Sequence, residues 1–182
     1  MERTEIRLTG AGGQGLILGG IILAEASAIF DGKNAVQTQS YGPEARGGAS
    51  KAEVIISNEE IDYPKVTSPD ILLAMTQEAF KKYAGVIKPE AIVVLDSTYI
   101  DAQAQSAGKV YRIPITQIAK EEVGKSIVAN IVAMGVIVEL SGVISKSALE
   151  KAVLARVPKG TEELNKKALE AGFAAATAAR QG

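Results

Sequence analysis

The feature that most constrains the fold is a glycine-rich segment between two apolar stretches near the N-terminus. Residues 6–9 alternate apolar and polar side chains, as in a half-buried strand, and residues 16–24 are apolar or glycine over the length of a helix. Between them, Gly10, Gly12 and Gly15 fit the G-x-G-x-x-G spacing. A strand, a glycine loop and a helix in this order are typical of a Rossmann-like unit. The pattern therefore predicts an α/β fold.

The glycine loop is predicted to contact a ligand or a partner subunit. Its first glycine can form a tight turn, its second lets backbone N–H groups approach a ligand, and its third lets the helix pack closely on the strand. Because the loop precedes a helix, free N–H groups and the helix dipole favour an anion there. Alternatively, the glycines only allow a buried helix to lie close to a sheet. The candidate residues are Gly10, Gly12, Gly13, Gln14 and Gly15.

The length and charge of the chain indicate a single domain, 1–182, that does not bind nucleic acid. The chain has 182 residues, of which 47% are hydrophobic, and a net charge of -1, so it can bury a sizeable core but offers no broad basic face. The charged N-terminus does not resemble a signal peptide, and the apolar stretch 127–140 is too short to span a bilayer. We therefore expect a cytoplasmic protein without a membrane partner.

The absence of cysteine and histidine excludes most catalytic chemistry. The chain cannot form disulfides or ligate iron–sulfur clusters through thiolates, and it has no metal site of the ordinary zinc type. It also lacks the commonest general base. We predict no catalytic residue and no metal ligand, and a binding or scaffolding role becomes more plausible than usual.

The second predicted strand lacks the residue that a dinucleotide-binding domain needs. Such a domain places a carboxylate at the end of this strand to hold the ribose hydroxyls. The strand is predicted at residues 35–38, but Gln37, Gln39 and Ser40 occupy this region, and Asp31 precedes it as a turn residue. An NAD-dependent dehydrogenase is therefore disfavoured, despite the glycine spacing.

A second unusual segment follows this strand. Its three glycines and one proline exclude a long regular element, while Tyr41, Glu44 and Arg46 can make specific contacts. The segment leaves the same edge of the predicted sheet as the glycine loop, so we predict one functional edge with Arg46 as its main charged contact. The alternative is a surface turn whose charges are solvated. The candidate residues are Ser40, Tyr41, Gly42, Pro43, Glu44, Arg46, Gly47 and Gly48.

The rest of the chain alternates short apolar runs with helical patterns, which predicts a mainly parallel sheet with crossover helices and a C-terminal helical segment. Thr76 and Ser145 are predicted to cap helices, and Thr161 resembles a third cap. Asn130, within a strongly apolar helix, is either a satisfied buried group or a contact to a neighbouring chain. The main predicted strands begin near Ile6, Ala35, Ala52, Ile71 and Ile92.

Three segments together resemble the gamma subunit of 2-oxoacid:ferredoxin oxidoreductases. They are residues 10–15, 40–48 and 130–135, and the resemblance extends over nearly the whole chain. The second segment is far more specific than the glycine spacing alone. The resemblance implies a role within an enzyme complex that oxidatively decarboxylates a 2-oxoacid, transfers the acyl group to coenzyme A and reduces ferredoxin.

The resemblance also implies which partners the chain has. Thiamine-binding alpha and beta subunits would hold thiamine diphosphate, and a ferredoxin-like delta subunit or an external ferredoxin would hold iron–sulfur clusters, while this chain binds no cofactor alone. Relatives use pyruvate, 2-oxoglutarate, branched-chain 2-oxoacids or aryl pyruvates, and the compact separate chain slightly favours 2-oxoglutarate. The alternative is a stand-alone binding module for a nucleotide or another phosphorylated ligand, which rests only on the backbone donors of the glycine loop.

Overall fold

A computed structural model of the protein describes residues 3–40, 48–101, 103–104 and 106–182. Within these residues, six strands form one sheet in the order β2-β3-β1-β4-β5-β6. All of them except the polar β2 contain apolar runs of the kind identified above. The strands are β1 (Arg3–Ala11), β2 (Asn34–Ser40), β3 (Ala49–Ser57), β4 (Ile71–Ala74), β5 (Ile92–Asp96) and β6 (Lys109–Ile113).

The sheet is parallel on one side of β1 and antiparallel on the other. The pairings β1–β4, β4–β5 and β5–β6 are parallel, and both pairings of β3 are antiparallel. Strands β1 and β2 therefore run in the same direction with β3 between them. The predicted mainly parallel sheet is confirmed, but the reversed β3 was not anticipated, because its almost continuously buried residues have the pattern of a parallel strand.

The helices connect the strands and then form a C-terminal layer. The first and third α-helices each continue into a π-helical turn, at Ala26–Phe30 and Ala119–Val123, and the 3₁₀ turn Ser126–Val128 leads into the fourth. The helices are α1 (Leu16–Glu25), α2 (Gln77–Tyr83), α3 (Ile115–Ile118), α4 (Ala129–Ser141), α5 (Lys146–Arg156) and α6 (Glu162–Gln181).

Strand alternation divides the core between the two faces of the sheet. Leu73 and Val94 belong to the larger apolar cluster, which includes side chains of α1, α4, α5 and α6, whereas Leu72 and Val93 pack in the smaller cluster with Phe80 of α2. Helix α4 is buried at every position from Ala129 to Val138, as its apolar sequence predicts. Truncating a core side chain of this kind to Ala typically costs about 2–5 kcal/mol.

Two of the three predicted helix caps form. Thr76 Oγ1 accepts a hydrogen bond from Ala79 N, and Ser145 Oγ accepts one from Ala148 N. The prediction for Thr161 is wrong, because its hydroxyl instead donates to Pro158 O at 2.6 Å and it makes no side-chain cap bond to α6. In the described part of the chain, we find no helix with the length and hydropathy needed to cross a membrane.

Candidate functional site at the glycine loop

The glycine loop joins β1 to α1 and is closed by Gln14. The Gln14 backbone N–H donates to Ala11 O at 3.2 Å, and its side-chain Oε1 accepts from Ala11 N at 2.7 Å. A Cβ atom on Gly10 would lie 2.4 Å from this Oε1 atom. Gly10 lies within β1, so it provides space for the Gln14 side chain, whereas the sequence pattern predicted that it would form the turn.

Gly15 begins α1 and contacts another helix. It has a left-handed backbone with φ 76°, and a Cβ atom at this position would lie 2.5 Å from Asn130 Nδ2 of α4. The predicted close contact between helix and strand occurs five residues later, where a Cβ on Gly20 would lie 3.1 Å from Ala52 Cβ of β3. The third glycine of the motif therefore serves helix-to-helix packing, which the linear spacing does not reveal.

Asn130 satisfies its hydrogen bonds within the chain. Its side chain donates through Nδ2 to Gly15 O at 3.1 Å and accepts through Oδ1 from Ile131 N at 3.0 Å. The residue is only 5% exposed. Of the two alternatives for Asn130, the satisfied buried group is confirmed.

The described ends of the second segment lie beside the glycine loop. Gly12 N donates to Gly48 O at 3.1 Å, and Ala11 pairs with Ala49 in the β1–β3 ladder. Ser40, the last residue of β2, pairs with Lys51. The reversed β3 thus begins at the edge at which β1 and β2 end. The remaining candidates, Tyr41, Gly42, Pro43, Glu44, Arg46 and Gly47, lie outside the described residues, so their contacts stay a prediction.

Two cavities flank the tip of the glycine loop. One, of about 410 Å³, is bounded by Gly13, Gln14 and mainly apolar side chains of α1, α4 and α6. The other, of about 250 Å³, lies between the loop and Tyr99. Ile127 borders both cavities and is 79% exposed, while Tyr99 is 55% exposed. Large apolar side chains exposed beside a cleft favour contact with a ligand or a partner protein.

Sequence reasoning missed Tyr99 and Ile127. Ile127 begins the apolar stretch 127–140, whose composition is typical of a buried helix, but a 3₁₀ turn at its start leaves this side chain in solvent. Tyr99 follows the carboxyl end of β5, and this position at the ligand-binding edge of a parallel strand was the available signal.

The carboxylates near this edge have structural partners. Asp96 is fully buried at the end of β5, where its side chain accepts hydrogen bonds from Thr98 N and from both the backbone N and the hydroxyl of Thr116. Among the residues that the structure describes, no cluster of three or more metal-ligating side chains is present. The described part of the edge therefore offers backbone donors and apolar surface rather than acid–base groups.

The resolved pKa shifts concern ion pairs between helices. A hydrogen bond from Lys146 lowers the pKa of Glu139, against a smaller opposing effect of burial, and links α4 to α5. A hydrogen bond from Arg156 lowers the pKa of Glu25 and links α1 to α5, and the same pair raises the pKa of Arg156. Both pairs link neighbouring helices, and none of their residues lines the cavities beside the loop.

These features describe an α/β binding subunit whose glycine loop meets a neighbouring hairpin at one edge of the sheet. The sequence profile of the pyruvate ferredoxin/flavodoxin oxidoreductase family matches residues 5–175. The 2-oxoglutarate synthase subunit KorC of Methanocaldococcus jannaschii is 53% identical over 94% of this chain and 92% of its own length. The pyruvate synthase subunit PorC of the same organism is 30% identical over 93% of this chain and 94% of its own length.

Two solved structures are also similar to the chain over almost its whole length. The gamma subunit of a keto/oxoacid ferredoxin oxidoreductase from Geobacter sulfurreducens has a TM-score of 0.91 and 52% identity, over 98% of this chain and 99% of that one. A 2-oxoglutarate:ferredoxin oxidoreductase from Magnetococcus marinus, solved with 2-oxoglutarate, coenzyme A and succinyl-CoA bound, has a TM-score of 0.85 and 27% identity, over 98% of this chain but only 32% of that one. The chain belongs to the pyruvate ferredoxin/flavodoxin oxidoreductase family, as a gamma-type subunit of a 2-oxoacid:ferredoxin oxidoreductase complex.

Proposed function

We propose that this chain is the gamma subunit of an enzyme that oxidises 2-oxoglutarate to succinyl-CoA and carbon dioxide and passes the electrons to ferredoxin. The identity of 53% to a 2-oxoglutarate synthase subunit, against 30% to the pyruvate synthase subunit of the same organism, carries this choice of substrate. Both comparisons extend over nearly the full chain, so the difference does not come from one shared segment.

We further propose that the redox chemistry lies on other subunits. Alpha and beta subunits would hold thiamine diphosphate, and a ferredoxin-like delta subunit or an external ferredoxin would hold the clusters. The chain has no cysteine to ligate iron–sulfur clusters and no histidine to act as a base, which supports this division. The isolated chain, acting as the single domain 1–182, would then be inactive.

The contribution proposed for this chain is a binding edge for coenzyme A, completed by a partner subunit. Coenzyme A carries phosphate groups, and the N–H groups in the first turn of a helix are free to bind such anions. At the start of α1, Gly13 and Gly15 hold left-handed conformations, and their N–H groups have no hydrogen-bond partner among the described residues. Arg46 would add a cation at the same edge.

The exposed side chains beside the loop support the partner contact. Ile127 and Tyr99 present apolar surface on the rim of the two cavities. In the Magnetococcus marinus enzyme, the matched region is about one third of a longer chain, so this domain works there next to further domains. A partner subunit that covers Ile127 and Tyr99 would also close the cavities around a bound ligand.

The test is reconstitution with the chains that co-purify with this one from its native host. The complex should reduce ferredoxin with 2-oxoglutarate at a kcat/KM at least about tenfold above that with pyruvate or branched-chain 2-oxoacids. Omission of this chain should abolish activity. A preference for pyruvate would refute the choice of substrate, and full activity without this chain would refute the subunit role.

A stand-alone binding module is a second candidate function, because the backbone N–H donors of the glycine loop all belong to this chain. It predicts that the purified chain binds a nucleotide or coenzyme A without partners. Calorimetric titration of the isolated chain and of the assembled complex with coenzyme A distinguishes the two functions. Our proposal expects binding only in the complex.

A further inference from the structure

Asn130 connects the first turns of two helices that are far apart in sequence. Its Nδ2 donates to Gly15 O, and its Oδ1 accepts from Ile131 N, which is one of the free N–H groups at the start of α4. These two partners determine the orientation of the amide, because the reversed amide would place two oxygens, and also two N–H groups, against each other. The side chain thus has one geometry that satisfies both helices.

The Gly15 carbonyl is the point through which Asn130 acts. Its oxygen also accepts the first hydrogen bond of α1, from Gly19 N at 3.0 Å, so both acceptor positions of this oxygen are used. Gly15 itself is left-handed, with φ 76° and ψ 23°. Rotation of the Gly15 peptide would therefore break the Asn130 bond and the first bond of α1 together.

Helix α4 is packed between α1 and α6, so the position of Asn130 is fixed. A Cβ on Gly19 would lie 3.2 Å from Met134, so the contact between Gly15 and Asn130 is repeated four residues later on both helices. On the opposite side, a Cβ on Gly172 of α6 would lie 2.2 Å from Val132 O. Since α4 is packed on both sides, it cannot follow a movement of the loop without disturbing α6.

We propose that Asn130 is a positioning residue, which through Gly15 holds the glycine loop in the arrangement that binds the phosphate groups of coenzyme A. This inference rests on the proposed function. Asn130 is almost wholly buried, and both ends of its amide are engaged within the chain. It acts on the ligand through the direction of the loop N–H groups.

The experiment replaces Asn130 by Asp in the full reconstituted complex. Asn130→Asp preserves the side-chain size and the acceptor for Ile131 N, but it replaces the donor to Gly15 O by a carboxylate oxygen, which repels this carbonyl oxygen. We expect the KM for coenzyme A to rise roughly tenfold, with kcat and the KM for 2-oxoglutarate within about twofold of the parent. Amide hydrogen exchange over residues 12–19 should also become faster.

Val132→Ala is the matched control. Val132 is fully buried on the same helix two residues later, and its carbonyl faces α6 rather than the loop. This variant should lower the melting temperature without changing the KM for coenzyme A or the exchange of residues 12–19. Equal effects of the two variants on exchange and KM would overturn the proposal, because general destabilisation would then explain both.

A loop variant separates this inference from the proposed function. Gly13 is left-handed with φ 89° and has open space around its Cβ position, so Gly13→Ala perturbs only the loop backbone. If Gly13→Ala raises the KM for coenzyme A and Asn130→Asp does not, the positioning role is refuted while the loop remains the binding site. If neither variant changes this KM, the assignment of coenzyme A to the loop fails, and the role of Asn130 fails with it.

Discussion

Replacing Gly172 by Ala should destabilise the protein, although the same change usually stabilises a helix. Gly172 lies within α6, where Ala is intrinsically favoured over Gly by about 1 kcal/mol. The added methyl group would, however, lie 2.2 Å from Val132 O and 3.1 Å from Gly135 Cα, which are backbone atoms of α4. To restore ordinary contact, the two helices must separate by about 1 Å, which costs the packing between them.

The magnitude follows from the difference between these two effects. Overpacking of a tight core typically costs about 1–3 kcal/mol, and a rigid backbone obstacle belongs at or above the upper end of this range. After subtraction of the propensity gain of about 1 kcal/mol, Gly172→Ala should lower the free energy of unfolding by about 2 kcal/mol or more. For a chain of this size, the melting temperature should fall by at least roughly 4–8 °C.

Gly19→Ala provides the contrast within the same protein. Its new methyl group would meet the flexible end of the Met134 side chain at 3.2 Å, which can move aside, so the helix gains propensity at little cost. Urea unfolding of the parent and both variants measures the difference. If Gly172→Ala is as stable as the parent or as Gly19→Ala, the helices α4 and α6 separate easily, and the argument from backbone contact is refuted.

Three further predictions concern the loss of stability at acid pH, the segment that contains Arg46, and the proposed contact of Ile127 with a partner subunit. Because Lys146 lowers the pKa of Glu139 in the folded state, the pair contributes stability at neutral pH that is lost as the pH falls through that pKa. Between about pH 6 and pH 3, chemical denaturation should therefore show a smaller loss of stability for Glu139→Gln than for the parent. An equal loss in both proteins would contradict this. Arg46→Ala should leave the fold intact but weaken assembly or activity of the reconstituted complex by about 2–5 kcal/mol, and unchanged binding and ferredoxin reduction would make Arg46 a solvated loop residue. Ile127→Asp should unfold at the parent temperature within a few degrees but weaken subunit binding by at least about 1 kcal/mol, measured by calorimetry, whereas unaltered affinity would show that this side chain lies outside the interface.

Local signals in the sequence predicted most of the secondary structure. Ser145 and Thr76 cap α5 and α2 as predicted, because each supplies a side-chain acceptor directly before a helical pattern. These signals act over a few residues. The same local reasoning failed at Thr161, where the hydroxyl found a nearer acceptor in Pro158 O.

The long-range features could not be predicted in this way. The reversed direction of β3 depends on its pairing with β1 and β2, and an apolar run carries no direction. The roles of Gly10 and Gly15 depend on the side chains of Gln14 and Asn130, which spacing alone does not indicate. The two segments of the candidate edge were recognised from composition. The exposed side chains of Ile127 and Tyr99 were missed, because hydrophobic residues are by default expected in the protein core.

The contact between Gly15 and Asn130 also has a consequence for synthesis of the protein. The two residues are 115 positions apart, so the ribosome completes the glycine loop long before the helix that holds it. At about 5–20 residues per second, the delay is roughly 6–23 s. During this time the nascent chain carries β1 and the beginning of α1 without the amide that orients them. A chaperone or a partner subunit that binds the nascent chain early would therefore contact a glycine loop that lacks its hydrogen bond from Asn130. The binding edge becomes complete only after α4 has emerged from the ribosome.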